Sequence, residues 1–179
     1  MLYINSLNTR KLTRLSLLIA LSIILTRILS LRIAVGGVEG VRIGFGALPV
    51  IFAGFAFGPL AGGIVGAISD LAGYFINPMG AYMPHFTFTA FLTGFIPAFV
   101  LYKLGNNNKN YFLLLISILI GQVISSIILV PLFIKLLFEV PLKVTMVSKL
   151  ISQAIIVPIN AYICKVLFNY DVIKIERRT

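Results

Sequence analysis

The chain has 179 residues, of which 59% are hydrophobic and only 11% charged. Charged residues normally reach roughly a quarter of a soluble domain, so this composition excludes a water-facing surface and makes lipid the solvent. Fifteen Lys and Arg against five Asp and Glu give a formal net charge of +10, but the cations fall in clusters between apolar runs, a pattern that suits a membrane and excludes nucleic acid as the partner.

Mostly apolar runs cover 12–31, 43–75, 85–102, 111–134 and 144–168. About 20 helical residues cross a hydrocarbon core of roughly 30 Å, so each run can span. The second run is long enough for two crossings if it turns at Gly58-Pro59, because proline cannot continue the preceding helix without losing a backbone donor. The sequence therefore predicts an all-α fold, an integral membrane six-transmembrane-helix bundle. It forms a single domain over 1–179, with helices at about 12–31, 44–57, 60–75, 85–103, 111–137 and 143–169.

Arg10, Lys11 and Arg14 precede the first helix, which continues into Thr26-Arg27 and not into a small-residue cleavage site; it reads as a retained helix. Ser16 and Ala20 lie four apart on it, and Ser22, Thr26 and Ser30 form a second stripe. Small residues at that spacing let helices approach closely, either inside the bundle or against another membrane subunit. Residues 34–41 read as a glycine-rich outer loop. Gly54, Gly58, Gly62 and Gly66 form a ladder that predicts tight packing of helices 2 and 3. Helix 2 is short for a crossing, which predicts a tilted or sunken element. Residues 75–84, with two prolines, read as a second outer loop; the two loops are connectors or a lid. Residues 105–109 read as a polar cytoplasmic turn, and Pro131 is expected to kink helix 5.

A six-span topology puts Arg10, Lys11, Arg14, Lys103, Lys109, Lys165, Lys174, Arg177 and Arg178 on one side, which the positive-inside rule makes cytoplasmic, with both termini. Arg27, Arg32, Arg42, Lys135, Lys143 and Lys149 fall near the opposite helix ends. Ionisable residues within a span cost about 2.5–3.5 kcal/mol each on insertion scales and usually face a cavity or a partner. Arg27, Asp70, His85 and Lys149 are of this kind, joined by the amides Gln122, Gln153 and Asn160. Helical spacing puts Lys149, Gln153 and Asn160 on one face, and Gln122 and Ser126 on another. Plainer roles are an Asp70–arginine pair, snorkelling of Lys149, and an interfacial or capping His85. One histidine and the lone Cys164 offer no metal-ligand spacing, no catalytic triad is legible, and no phosphate-cradling Gly-x-x-x-x-Gly-Lys-Ser/Thr is present. These features predict no metal, no cofactor and no enzyme. They predict instead an outward pocket, with Tyr74 and Tyr82 among its aromatics, suited to a flat hydrogen-bonding ring with a negative tail.

Gly58-Pro59-x-x-Gly62-x-x-x-Gly66-x-x-x-Asp70, followed by Asn77-Pro-Met-Gly80-Ala-Tyr82-Met-Pro84-His-Phe86-Thr87, resembles the substrate-binding S component of an energy-coupling factor (ECF) vitamin transporter. The tyrosine-proline-phenylalanine-threonine stretch points to the folate-specific branch. The family's alanine-x-x-x-alanine docking pair is Ser16 and Ala20 here, and His85 stands where many folate members carry glycine. The resemblance implies a multi-pass subunit of the cell membrane that binds folate on its outer side, docks on a transmembrane coupling subunit carrying two cytoplasmic ABC ATPases, and reorients bodily. It implies lids around Gly36-Gly37 and 77–84. The pterin would be read by Asp70 or by Asn77, Gln122, Gln153 and Asn160, and the glutamate tail by Arg27, Arg32, Arg42 or Lys149, with Tyr74, Tyr82 and His85 completing the site. The alternatives are another vitamin, thiamin or riboflavin, or a membrane scaffold without transport.

Overall fold

A computed structural model of the chain describes residues 9–27, 31–35, 38–76, 82–105, 110–139 and 141–169. In chain order these form α1 (Thr9–Arg27), β1 (Leu31–Val35), β2 (Val38–Ile43), α2 (Ala47–Phe57), α3 (Pro59–Ile76), α4 (Pro84–Gly105), α5 (Tyr111–Gln122), a π-helical segment (Val123–Leu129), α6 (Val130–Phe138) and α7 (Leu142–Asn169). The helices pack as one bundle of the expected all-helical class. Pro59–Ile76, Pro84–Leu104, Tyr111–Leu137 and Leu142–Asn169 are long and apolar enough to cross a membrane. Leu17, Leu60, Ile64, Phe75, Phe112 and Leu136 are each more than half exposed, a surface that lipid solvates without penalty and water does not.

α2 has 11 residues, about 16 Å at 1.5 Å per residue, or roughly half the hydrocarbon thickness. It does not cross alone. Leu48 through Phe55 are all buried, so the short helix sits inside the bundle, as its length and apolarity demand. It ends at Gly58, whose φ of 102° no L side chain adopts comfortably. The Gly58 N–H caps Gly54 O at 3.0 Å, and Pro59 opens α3, where its missing N–H costs nothing.

The glycine ladder is the seam of three helices. A methyl group at Gly54 would stand 2.5 Å from the carbonyl oxygen of Gly94, and one at Gly62 would stand 2.5 Å from the Gly54 Cα. Gly66 meets the Ala90 carbonyl in the same way. α2, α3 and α4 thus touch backbone to backbone. The main apolar core lies on the other side of α2, where Ile51, Phe52 and Phe55 meet Ala98, Leu101, Leu114, Ile118, Val157, Ala161 and Cys164. Phe168 closes it, 5.6 Å from the ring of Phe52.

The structure differs from the sequence reading in three places. The first helix ends at Arg27 among the described residues, and Leu31 belongs to a strand, not to a helix running to 31. Most of the stretch read as a loop at 34–41 is strand: β1 and β2 pair antiparallel, with Leu31 opposite Ile43, Arg32 opposite Arg42 and Ile33 opposite Val41; β2 lies against α7. Apolar residues at 31, 33 and 35 on one arm and at 41 and 43 on the other alternate with the period of a strand. Finally, the irregularity in the fifth span precedes Pro131: over Val123–Leu129 the backbone takes π geometry, and Val130 N–H reaches back five residues to Ser125 O. Such a widened turn is a recognised break in helix regularity.

Candidate functional site

Two adjoining cavity lobes of about 160 and 150 Å3 open inside the bundle and share Thr26, Gly46, Ala47 and Thr93 as walls. Together they reach the lower end of the roughly 300–1,000 Å3 typical of small-molecule sites. The shared wall exists because glycine precedes α2. Any side chain at Gly46 would collide with Thr26, and the Ser22 hydroxyl donates to Gly46 O at 2.9 Å, fastening α1 to the start of α2.

The first lobe is walled by α5 and the π segment on one side and α7 on the other, through Gln122, Ser126 and Gln153. Gln122 is 2% exposed. Its Oε1 accepts from the Ser126 hydroxyl at 2.7 Å, which fixes the amide and leaves Nε2 buried with no hydrogen-bond partner among the described residues. Gln153 contributes a second orphan, its Oε1. One amide therefore offers a donor and the other an acceptor, each buried at a cost of about 1–3 kcal/mol while unpaired. The Thr93 hydroxyl of α4 lies 2.9 Å from Thr89 O and 3.1 Å from Ser125 Oγ of the π segment, its single proton serving one acceptor or the other.

The second lobe lies between α1, α3 and α4 and carries charge: Arg27 and Asp70 both line it, with the buried Ser69 hydroxyl, which has no hydrogen-bond partner among the described residues. Gly73 lets the Arg27 side chain lie against α3, since an added methyl there would meet Nε at 3.0 Å. Asp70 Oδ2 accepts from Thr87 Oγ1 at 2.8 Å, and Tyr82 OH stands 3.0 Å from that hydroxyl. Tyr82 packs on Tyr74, ring centroids 5.2 Å apart.

Of the residues singled out in the sequence, Arg27, Asp70, Gln122 and Gln153 border the cavity, and Tyr74 and Tyr82 stand beside Asp70. His85 does not border it: exposed at the start of α4, its ring packs on Phe133 at 4.9 Å. Lys149 is half-buried one turn from Gln153, outside the cavity lining. Asn160 is fully buried further along α7, both amide atoms without a hydrogen-bond partner among the described residues, and also outside the lining. For Arg32 and Arg42 the structure describes the paired backbone of β1 and β2. Asn77 and the lid glycines Gly36 and Gly37 lie outside the described residues. Ser16 and Ala20 are exposed on α1. Sequence reasoning overlooked Ser69 and Thr93, and took Ser22 and Thr26 for packing; hydroxyls four apart, Ser22 with Thr26 and Thr89 with Thr93, were the available signal, and Ser69 is marked only by its neighbour Asp70. Among the described residues, no group of three His, Cys, Asp or Glu forms a metal site.

Residues 6–169 match the family model described as "ECF-type riboflavin transporter, S component". The chain is 36% identical over 146 residues to the folate transporter FolT of Clostridium novyi (strain NT), covering 82% of this chain and 80% of that protein. Its fold is similar to a crystal structure of FolT bound with folic acid, with TM-score 0.75, 28% identity, and coverage of 91% and 96% of the two chains. It is also similar to an S component of a bacterial ECF transporter, with TM-score 0.64, 25% identity and coverage of 90% and 95%. An S component for biotin shares the fold at TM-score 0.69 and 24% identity, with coverage of 97% and 98%.

Proposed function

The chain belongs to the S components of ECF-type transporters, multi-pass membrane proteins, and from that premise we propose that it is the high-affinity folate-binding subunit of an ATP-dependent vitamin importer. The observation that carries the reading is the pair of orphaned amide atoms, Gln122 Nε2 and Gln153 Oε1, buried at a cavity that also presents Arg27 and Asp70. A pterin ring offers both donors and acceptors on its edges, as a site that presents an orphaned amide donor and an orphaned amide acceptor requires.

The two lobes divide the work. Asp70 accepts ring N–H groups, Arg27 donates to the ring oxo group, and the amides complete the edge. The dianionic glutamate tail is repelled by Asp70 and leaves toward the side of the strand pair, where Arg32, Arg42 and Lys149 supply positive charge. A residue pair of opposite sign in one lobe suits a dipolar ring edge better than a tail of net negative charge.

In this reading the protein catalyses no reaction and holds no cofactor. The basic clusters at Arg10–Arg14, Lys103 and Lys165 support cytoplasmic termini in the cell membrane, and energy comes from two cytoplasmic ATPases acting through a transmembrane coupling subunit. The exposed Ser16 and Ala20 on α1 suit close helix docking to that subunit. Riboflavin is the second reading, favoured by the description of the matching family model; its ring edge also pairs donors and acceptors, but its tail is neutral. Calorimetric titration of the detergent-purified protein with folate, riboflavin and thiamin separates the two: folate alone should bind tightly, and tight binding of riboflavin without folate would refute the assignment.

A further inference from the structure

α3 and α4 run antiparallel, and their contacts step by four residues on each helix: Gly62 against Gly94, then Gly66 against Ala90. Four more residues along α3 reach Asp70, and three back along α4 from Ala90, the other near-turn spacing of a helix, reach Thr87. The glycine seam brings these two helix faces together, and the Thr87 hydroxyl meets the carboxylate 2.8 Å from Oδ2, although the two residues are 17 apart in sequence. Thr87 has one proton, and it goes to Asp70. The 3.0 Å contact between Thr87 Oγ1 and Tyr82 OH must then be made by the tyrosine proton. The result is a one-way chain, Tyr82 to Thr87 to Asp70, in which each bond polarises the next toward the carboxylate. Asp70 Oδ1 takes no part in it, and Asp70 borders the charged lobe of the cavity.

We propose that Thr87 and Tyr82 are positioning residues for vitamin recognition: they hold the Asp70 carboxylate in one orientation against the cavity, so that a ring bearing N–H donors meets a pre-aimed acceptor. The inference rests on the reading of this cavity as the vitamin site. Thr87 touches no ligand in this scheme; it acts through Asp70. A carboxylate free to rotate would have to be ordered at each binding event, and that cost would appear as lost affinity.

The test is calorimetric titration of three variants beside the parent in detergent. Thr87→Val keeps the shape and removes both bonds, and its folate affinity should fall about ten-fold or more, as expected for losing a hydrogen bond to a charged group. Thr87→Ser restores the hydroxyl and should bind within about three-fold of the parent, a rescue that a purely steric role for Thr87 would not produce. Tyr82→Phe removes only the outer link and should lose about three-fold. Thr87→Val binding as the parent does, or Thr87→Ser binding no better than Thr87→Val, overturns the proposal. Should Thr87→Val fail to fold, the partly exposed Tyr82→Phe decides alone, and unchanged affinity there overturns it. If the parent binds riboflavin or thiamin in place of folate, the folate assignment fails, and the chain is judged with that vitamin by the same criteria. A parent that binds none of the three refutes both.

Discussion

Replacing Gln122 by methionine separates binding from stability in a way that only a ligand-reading amide allows. The side chain is 2% exposed, its Oε1 accepts from Ser126 at 2.7 Å, and its Nε2 has no partner among the described residues. Methionine nearly conserves the volume and removes the buried orphan, a relief of about 1–3 kcal/mol, against the loss of one neutral hydrogen bond worth about 0.5–1.5 kcal/mol. Ser126 is not stranded, because a helical hydroxyl can turn to the carbonyl four residues back, as Ser125 does toward Gly121 O at 2.8 Å. The unliganded variant should therefore be as stable as the parent or more stable by about 1 kcal/mol, while its affinity for folate falls ten-fold or more, about 1.4 kcal/mol. Thermal unfolding followed by circular dichroism in detergent gives the first quantity and calorimetry the second. A variant that unfolds earlier and binds folate unchanged would show that Gln122 is a structural amide, and the site reading would fail at its central residue.

Arg27→Met should weaken folate and a pterin lacking the tail alike, by ten-fold or more, since truncating one partner of a desolvated charged contact costs about 2–5 kcal/mol; calorimetric loss confined to intact folate would reassign Arg27 to the tail. Ala20→Trp on the exposed face of α1 should abolish uptake by whole cells while leaving folate affinity of the purified protein within about two-fold, because close helix docking needs a small residue there. Equal loss of both would make the stripe internal packing. Gly94→Ala should destabilise the bundle by about 1–3 kcal/mol, because the added methyl meets the Gly62 backbone on α3. Size-exclusion chromatography after stepwise heating reads this, and a parent-like profile would mean the seam is looser than its backbone contacts imply.

Much of the fold was legible because lipid imposes a one-dimensional rule. An apolar run of given length either spans or does not, and residues 60–75, 85–103, 111–137 and 143–169 were recognisable on that basis. The seam was legible as Gly54, Gly62 and Gly66, but its fourth member, Gly94, lies on another helix between Ala90 and Ala98, a small-residue ladder that the sequence reading passed over. The strand pair was hidden because a glycine-rich stretch reads as a loop in sequence, without saying whether its flanks pair. Pro131 flagged the irregular span, yet the backbone absorbed the missing donor upstream, in a π segment that no residue pattern announces.

Within the site, sequence determined which polar residues lipid would not tolerate unaccompanied: Arg27, Asp70, Gln122, Gln153 and Asn160 each stand in an apolar helix for a reason. Helical spacing also determined that Lys149, Gln153 and Asn160 share a face. Only the tertiary structure decided that Gln153 reaches the cavity while Lys149 and Asn160 do not, because the rotation and depth of α7 are set by its packing against α5 and the strand pair, not by its own period. In the same way nothing local joins Asp70 to Thr87. Their bond follows from the register of α3 on α4, which is fixed where glycines on two different helices let the backbones touch.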